Sequence, residues 1–365
     1  MKVACITFHD SLNYGAVLQT YGLQTKIKSL GVEYKIIDYS TSEKRKFDSI
    51  LGRNKELSSK RYLLKVLTSP YKIVKKIKFA IFTNRYLDIT CKKIKNSYEL
   101  KRLEDRFDYF ICGSDQVWNL KMIRYDSAYF LSFISKKEKK ISYASSIGRT
   151  DYDDEDVKTI KKYLEDFEKI SVREKSGVEF LSDFCEKQAK LVLDPTLLLS
   201  KKEWADLKFD SKKNHTSYIL TYCLSYNDDL RKFITNLQNK VNMPVIGISS
   251  NLVMMFREKT YAQPSPKEFV HLFLNATYVV TNSFHGTAFS VNFNKPFFSF
   301  VKGDLYSETN SRIVDFLEMV NLKKHLYNKC PDDIDITYPD FSEANEIIEK
   351  KRLESILFLK ESIGN

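Results

Sequence analysis

Short apolar runs alternate with longer stretches of helical periodicity along most of the chain. Runs rich in Val, Ile, Phe and Tyr predict strands at 2–8, 32–39, 109–113, 139–146, 169–173, 189–194, 217–224, 245–250 and 278–283. Apolar positions three and four apart predict helices at 16–30, 156–167, 228–241, 265–276 and 343–362. Strands alternating with helices make parallel sheets covered on both faces, the α/β class. One such series closes after Asp194-Pro195 and another opens at Ser217, which places a junction near residue 197. The expected architecture is two Rossmann-like domains facing a cleft, over 1–197 and 198–330. A basic helical insertion is expected at 44–106, and a tail over 331–365 carries a helix expected to pack back on the first domain.

At 365 residues, with 43% hydrophobic and 29% charged positions, the chain can bury a large core without disulfides or metals. That composition excludes a disordered polymer, a collagen-like fibre and a small stapled scaffold. The six cysteines form no C-x-x-C pair and lie mostly in apolar runs, so reduced, buried thiols are expected. The apolar stretch before His9 and Asp10 is too short for a signal peptide, and no apolar run approaches the roughly 18 residues of a membrane span. The expected location is the cytoplasm.

The net charge of +12 is uneven. Residues 44–106 hold 19 Lys/Arg against 6 Asp/Glu, and the remainder holds 40 against 41. Within that segment the cations interleave with Leu, Ile, Val, Phe and Tyr at roughly helical spacing. This pattern suits a solvated lysine-rich face, a patch resting on anionic lipid headgroups, or a nucleic-acid patch. No helix-turn-helix, zinc-finger or RNA-binding signature accompanies it, so no nucleic-acid partner is expected.

Open α/β sheets bind ligands beyond the carboxyl ends of their strands. Five strand ends carry suitable chemistry. After the first strand, Asn13 and Gly15 open a helix whose free N–H groups can meet an anion, although ordinary turn chemistry explains the same residues. After FDYFI, the run CGSDQVWN offers Asp115, Gln116 and Trp118, either as sugar-facing groups or as a helix cap with a buried Trp. Arg173 in SVRE can clamp a carboxylate or phosphate through its planar fork, or pair structurally with Glu174. Asp194 in LDPT reads mainly as a turn. In VVTNSFHGTAFS, His285 sits among Ser283, Gly286 and Thr287 where a strand runs into a helix. A helix start disfavours imidazolium, so His285 can act as a neutral general base. His215, His271 and His325 read as structural or surface residues, and His9 as a candidate cleft residue. No His/Cys/Asp cluster has metal-ligand spacing, and neither a phosphate-binding P-loop nor a dinucleotide fingerprint is present. Neither metal nor cofactor is expected.

Taken together, NYGAVLQ (13–19), FDYFICGSDQVWN (107–119), ISYASSIG (141–148), SVRE (171–174), LVLDPTLLL (191–199), VVTNSFHGTAFS (279–290) and NSRI (310–313) resemble the polysaccharide pyruvyl transferase family. The resemblance covers most of residues 1–325 and leaves 44–106 and the tail beyond 330 without a family reading. It implies a GT-B-like fold and transfer of pyruvate from phosphoenolpyruvate, as co-substrate, to a sugar as a cyclic ketal. The acceptor would be a saccharide of a capsule or exopolysaccharide, or its lipid-linked precursor; apart from the resemblance, the charge and spacing of 44–106 would let that segment meet the anionic inner face of the membrane. On this reading His285 and Asp115 are catalytic, and Arg173, Arg312, Ser283, Gly286 and Thr287 hold the donor. Asn13, Gly15, Gln116 and Trp118 face the acceptor. A nucleotide-sugar glycosyltransferase of GT-B type and a non-catalytic glycan- or anion-binding module are the alternatives.

Overall fold

A computed structural model describes residues 1–40, 69–91, 93–149, 151–207, 217–248, 263–303 and 310–364. Every paired strand runs parallel to its neighbour. The first sheet has the order β2-β1-β3-β4, from β1 (Lys2–Ile6), β2 (Glu33–Ile36), β3 (Tyr109–Cys112) and β4 (Lys140–Ser142). Isolated parallel bridges, Ile141 to Lys169 and Ser145 to Val172, attach the pair β5 (Ser171–Val172) and β6 (Lys190–Leu191) beyond β4. The second sheet has the order β11-β10-β9-β7-β8, from β7 (Ile219–Tyr222), β8 (Val245–Ile248), β9 (Tyr278–Thr281), β10 (Phe297–Phe300) and β11 (Leu326–Tyr327). All nine predicted strands contain an observed one. β10 and β11 were not predicted: FFSF is buried at every position and shows no alternation to read.

Strand order reverses between β1 and β3 in the first sheet and between β7 and β9 in the second. These switch points are where a crevice opens at the carboxyl ends. Helix α1 (Tyr14–Ser29) leaves the first, capped by the Asn13 carboxamide, which accepts from the N–H groups of Gly15 and Ala16. The helix following β9 leaves the second.

Three apolar clusters hold the fold. One lies on an outer face of the first half, packing Phe110, Trp118, Phe130 and Phe167. A second lies on an outer face of the second half, around Phe233, Phe298 and Phe300. The third is shared, running from Val17, Leu23 and Ile111 to Phe269, Phe289 and Leu317. The halves are therefore joined by a core and not by a wet interface.

Within the basic segment, helix α2 (Ser69–Tyr86) and a short helix at Ser97–Lys101 are described; residues 41–68 and 92 lie outside the described residues. Helix α2 buries Phe79 and Phe82 against Tyr14 and Tyr21 of α1, and Lys78 pairs with Glu268 at 3.1 Å. The C-terminal helix (Ser342–Ser362) lies against the first half: Arg352 Nε donates to the Leu197 carbonyl, Ser355 Oγ accepts from Leu193 N–H, and Phe358 packs on Tyr143. All six cysteines are free thiols, as expected, but only Cys5, Cys112 and Cys223 are buried; Cys185 and Cys330 are half-buried and Cys91 is exposed.

Candidate active site

The two crevices face each other, and six chain segments meet between them. From the second half, β9 ends at Thr281 and helix α3 (Phe284–Asn292) begins. Asn282 locks this elbow, accepting from Leu224 N–H and donating to the Ser225 carbonyl. Gly286 is required here by packing, because any side chain would run into Thr281 Oγ1 at the strand end. Ser283 precedes the helix without capping it, and its hydroxyl faces Tyr222. The N–H groups of Phe284, His285 and Gly286 find no acceptor among the described residues. They form a positive, donor-only mouth.

His285 projects from this turn against Gly15 of the first half. Any side chain at Gly15 would occupy the imidazole's position. His285 Nε2 lies 3.8 Å from Asp194 Oδ2, beyond hydrogen-bond range, and makes no hydrogen bond among the described residues. Burial pushes the imidazole pKa down. Asp194 and Asp115 oppose the shift without reversing it, and Arg173 and Arg312 add to it. A neutral imidazole results at pH 7.

Arg173, at the end of β5, is fully enclosed. Its guanidinium donates to Asp194 Oδ2 at 2.7 Å and to Asp115 Oδ1 at 3.1 Å, and its Nε lies 3.6 Å from Glu174 Oε2. It also stacks 4.9 Å from the Phe284 ring, across the junction of the halves. Asp194 caps the turn that follows it, accepting from Thr196 N–H and Oγ1. Burial alone would raise the Asp194 pKa, but His285, Arg173 and the Thr196 hydrogen bonds hold it below the usual carboxylate value. Glu174 is raised by burial, against the pull of Arg173 and Ser146. Asp115 holds a left-handed φ of 75°, bonding the Gln116 N–H through its own carboxylate.

Arg312 stands in the first turn of the helix Ser311–Met319. That helix is tied to the first half where Ser176 donates N–H and Oγ to Asp315 Oδ2. Arg312 lies within electrostatic reach of Arg173, Glu174, Asp115 and Asp194. It makes no ion pair among the described residues, and its Nε is buried without an acceptor. Burial and the neighbouring Arg173 depress its pKa, the mark of a cation held without its counterion.

The structure therefore gathers His285, Arg173, Arg312, Asp115, Ser283, Gly286 and Gly15, with Asn13 exposed at the adjoining helix cap. Three expected contributors differ. Trp118 is buried, stacked on Phe130, with Nε1 donating to the Tyr129 carbonyl, so it cannot face a sugar. Thr287 bonds Ser283 O through both N–H and Oγ1, and its hydroxyl also meets Ser299 Oγ at 2.7 Å; it has nothing left for a donor. Gln116 takes Asn119 Nδ2 on its amide oxygen and covers Gly148, so its described contacts close its own loop. Arg173 is present but already neutralised. Asp194 and Glu174 were not foreseen as site residues. Asp194 before Pro195 reads mainly as a turn, and in the structure it caps the short helix Pro195–Leu198. Its second role exists only because β6 ends beside α3. His9 is buried and pairs with the half-buried Asp38 at 3.3 Å, His325 packs on Phe297 with its pKa pushed down to about 4 by burial, and His215 lies outside the described residues. Among the described residues no group of His, Cys, Asp and Glu could hold a metal.

The two parallel sheets facing across a crevice form a two-lobed, GT-B-like fold. A protein assigned as a UDP-N-acetylglucosamine 2-epimerase from Listeria monocytogenes superposes with a TM-score of 0.51 at 11% identity, covering 99% of this chain and 89% of its own. The Neisseria meningitidis UDP-GlcNAc 2-epimerase bound to UDP-GlcNAc gives 0.47 at 12% identity, covering 97% and 100%. The E. coli heptosyltransferase WaaC with ADP gives 0.43 at 12%, covering 96% and 100%. No curated protein matches the chain in sequence. The chain belongs to the polysaccharide pyruvyl transferase family, whose model matches residues 13–301.

Proposed function

We propose that this transferase moves pyruvate from phosphoenolpyruvate to two hydroxyls of a saccharide, forming a cyclic ketal and releasing phosphate. The acceptor is a sugar of a surface polysaccharide or of its lipid-linked precursor. Protonation at C3 of the donor makes C2 oxocarbenium-like. A first hydroxyl adds at C2 as its proton is removed, the C2–O bond to phosphate breaks, and the second hydroxyl closes the ring as it loses its proton. The site must hold two anionic groups and move protons.

Arg312 and the free N–H groups of Phe284, His285 and Gly286 are assigned to the donor's carboxylate and phosphate. Neutral His285 is the base that takes the hydroxyl proton. Arg173 supplies positive field and holds Asp115 and Asp194 in place, and Asp115 orients the acceptor beside Gly15 and Asn13. The observation that carries this reading is the part-buried Arg312 guanidinium, its Nε enclosed without an acceptor, near a His285 Nε2 that also lacks a hydrogen-bond partner at a helix start. Such a cation is stabilised only when an anion arrives.

The test is phosphate release from phosphoenolpyruvate against a panel of free and lipid-linked glycosides. The wild type releases phosphate with at least one acceptor, and His285→Ala slows it by about 10²–10⁴-fold with an unchanged melting temperature. Release at the wild-type rate by His285→Ala removes the imidazole from the mechanism. Heat protection by nucleotide-sugars but not by phosphoenolpyruvate replaces the donor assignment.

A further inference from the structure

Helix α2 has a face that the fold leaves bare. Ile73, Val74, Ile77 and Ile81 are 44–59% exposed, and they are the only large exposed Ile or Val side chains among the described residues. At 3.6 residues per turn all four fall within an arc of about 100°. The opposite arc is buried by Phe79, Phe82 and Tyr86 against α1 and its neighbours. Cations occupy both borders of the bare arc: Arg85 and Lys78 on one side, Lys72 and Lys76 on the other. Residues 69–86 contain five Lys/Arg and no Asp or Glu.

We propose that this face of α2 seats the protein on an anionic lipid bilayer. An apolar strip flanked by long cationic side chains matches the layering of a membrane surface. The isoleucines enter the acyl boundary while Lys72, Lys76 and Arg85 reach back to the headgroup phosphates. A second copy of the chain is the poorer occupant. An isologous contact through this face would bring like-charged borders together with no acidic residue on the helix to offset them. Seating through α2 also orients the site, because its buried face rests on Tyr14, one residue from the Gly15 that His285 abuts. The proposal is independent of the donor's identity.

The experiment is co-sedimentation of the full chain with phosphatidylcholine vesicles, with and without phosphatidylglycerol. The protein partitions onto the anionic vesicles, and added salt weakens the binding. The triple variant Ile73→Ser/Ile77→Ser/Ile81→Ser loses at least about tenfold in partition with an unchanged melting temperature, since those side chains support no core. Lys76→Gln alone loses about fivefold and serves as a second, conservative probe. Four results overturn the proposal: no binding to anionic vesicles; equal binding to neutral ones; unchanged binding by the variants; or a wild-type dimer that the triple variant dissolves, which would give the face to a second copy.

Discussion

Arg173 and Arg312 carry the same group within electrostatic reach of each other, yet their surroundings are opposite. Arg173, from the first half, donates to Asp194 and Asp115 and has Glu174 within ion-pair range, although its Nε, like that of Arg312, makes no hydrogen bond. Arg312, from the second half, faces the same carboxylates only at a distance and pairs with none. The pKa directions follow: the carboxylates raise Arg173 despite its burial, while burial and Arg173 lower Arg312. A buried cation with its counterions is scaffold, because desolvation is already offset within the protein. A part-buried cation without one, such as Arg312, leaves room for a ligand to supply that offset. The first half thus supplies a closed ionic frame, and the second an open mouth of Arg312, His285 and helix N–H groups.

This contrast can be broken from either side. The largest effect belongs to the closed frame. Asp194→Ala leaves Arg173 short of its nearest carboxylate and destabilises the fold by about 3–5 kcal/mol, read by denaturant titration. A loss under about 1 kcal/mol would show that the frame is slack. Next comes the contact between the halves. Gly15→Ala displaces His285 and lowers turnover by about 10²-fold, with a smaller change in stability. The smallest effect is in pH. Burial holds the His285 pKa below the ordinary value of about 6.5, so the unfolded chain takes up this proton first as pH falls. His285 therefore contributes a loss of stability as pH falls below about 6.5, and the acid limb of the rate profile also lies below that value. An acid limb above about 7 would mean that the imidazole is protonated in the resting site.

Much of this arrangement was legible because strand ends announce themselves. The apolar run YVV passing into Asn282, Ser283 and Gly286 marks an elbow, and the switch-point rule says where elbows of an open sheet point. Gly15 was visible as a turn glycine, but its reason, room for an imidazole 270 residues away, belongs to the packing of the halves. Trp118 misled for a related reason. A polar run with an aromatic looks the same whether the ring faces solvent or the core, and only the stack on Phe130 decides it. Arg173 and Arg312 were equivalent in sequence, since neither SVRE nor NSRI says which carboxylates fold against it. β10 escaped because a fully buried strand has no polar face to alternate with.

The most direct test of the central claim is phosphoenolpyruvate affinity, followed by thermal shift, for the wild type and Arg312→Gln. The wild type is stabilised by the ligand. The variant melts no lower than the wild type without ligand, because it has shed a part-buried charge that makes no ion pair, and it binds phosphoenolpyruvate at least about tenfold more weakly. Equal affinity in the two proteins, or a variant that melts well below the wild type, would show that Arg312 is already satisfied by the fold and that the open mouth is not a donor site.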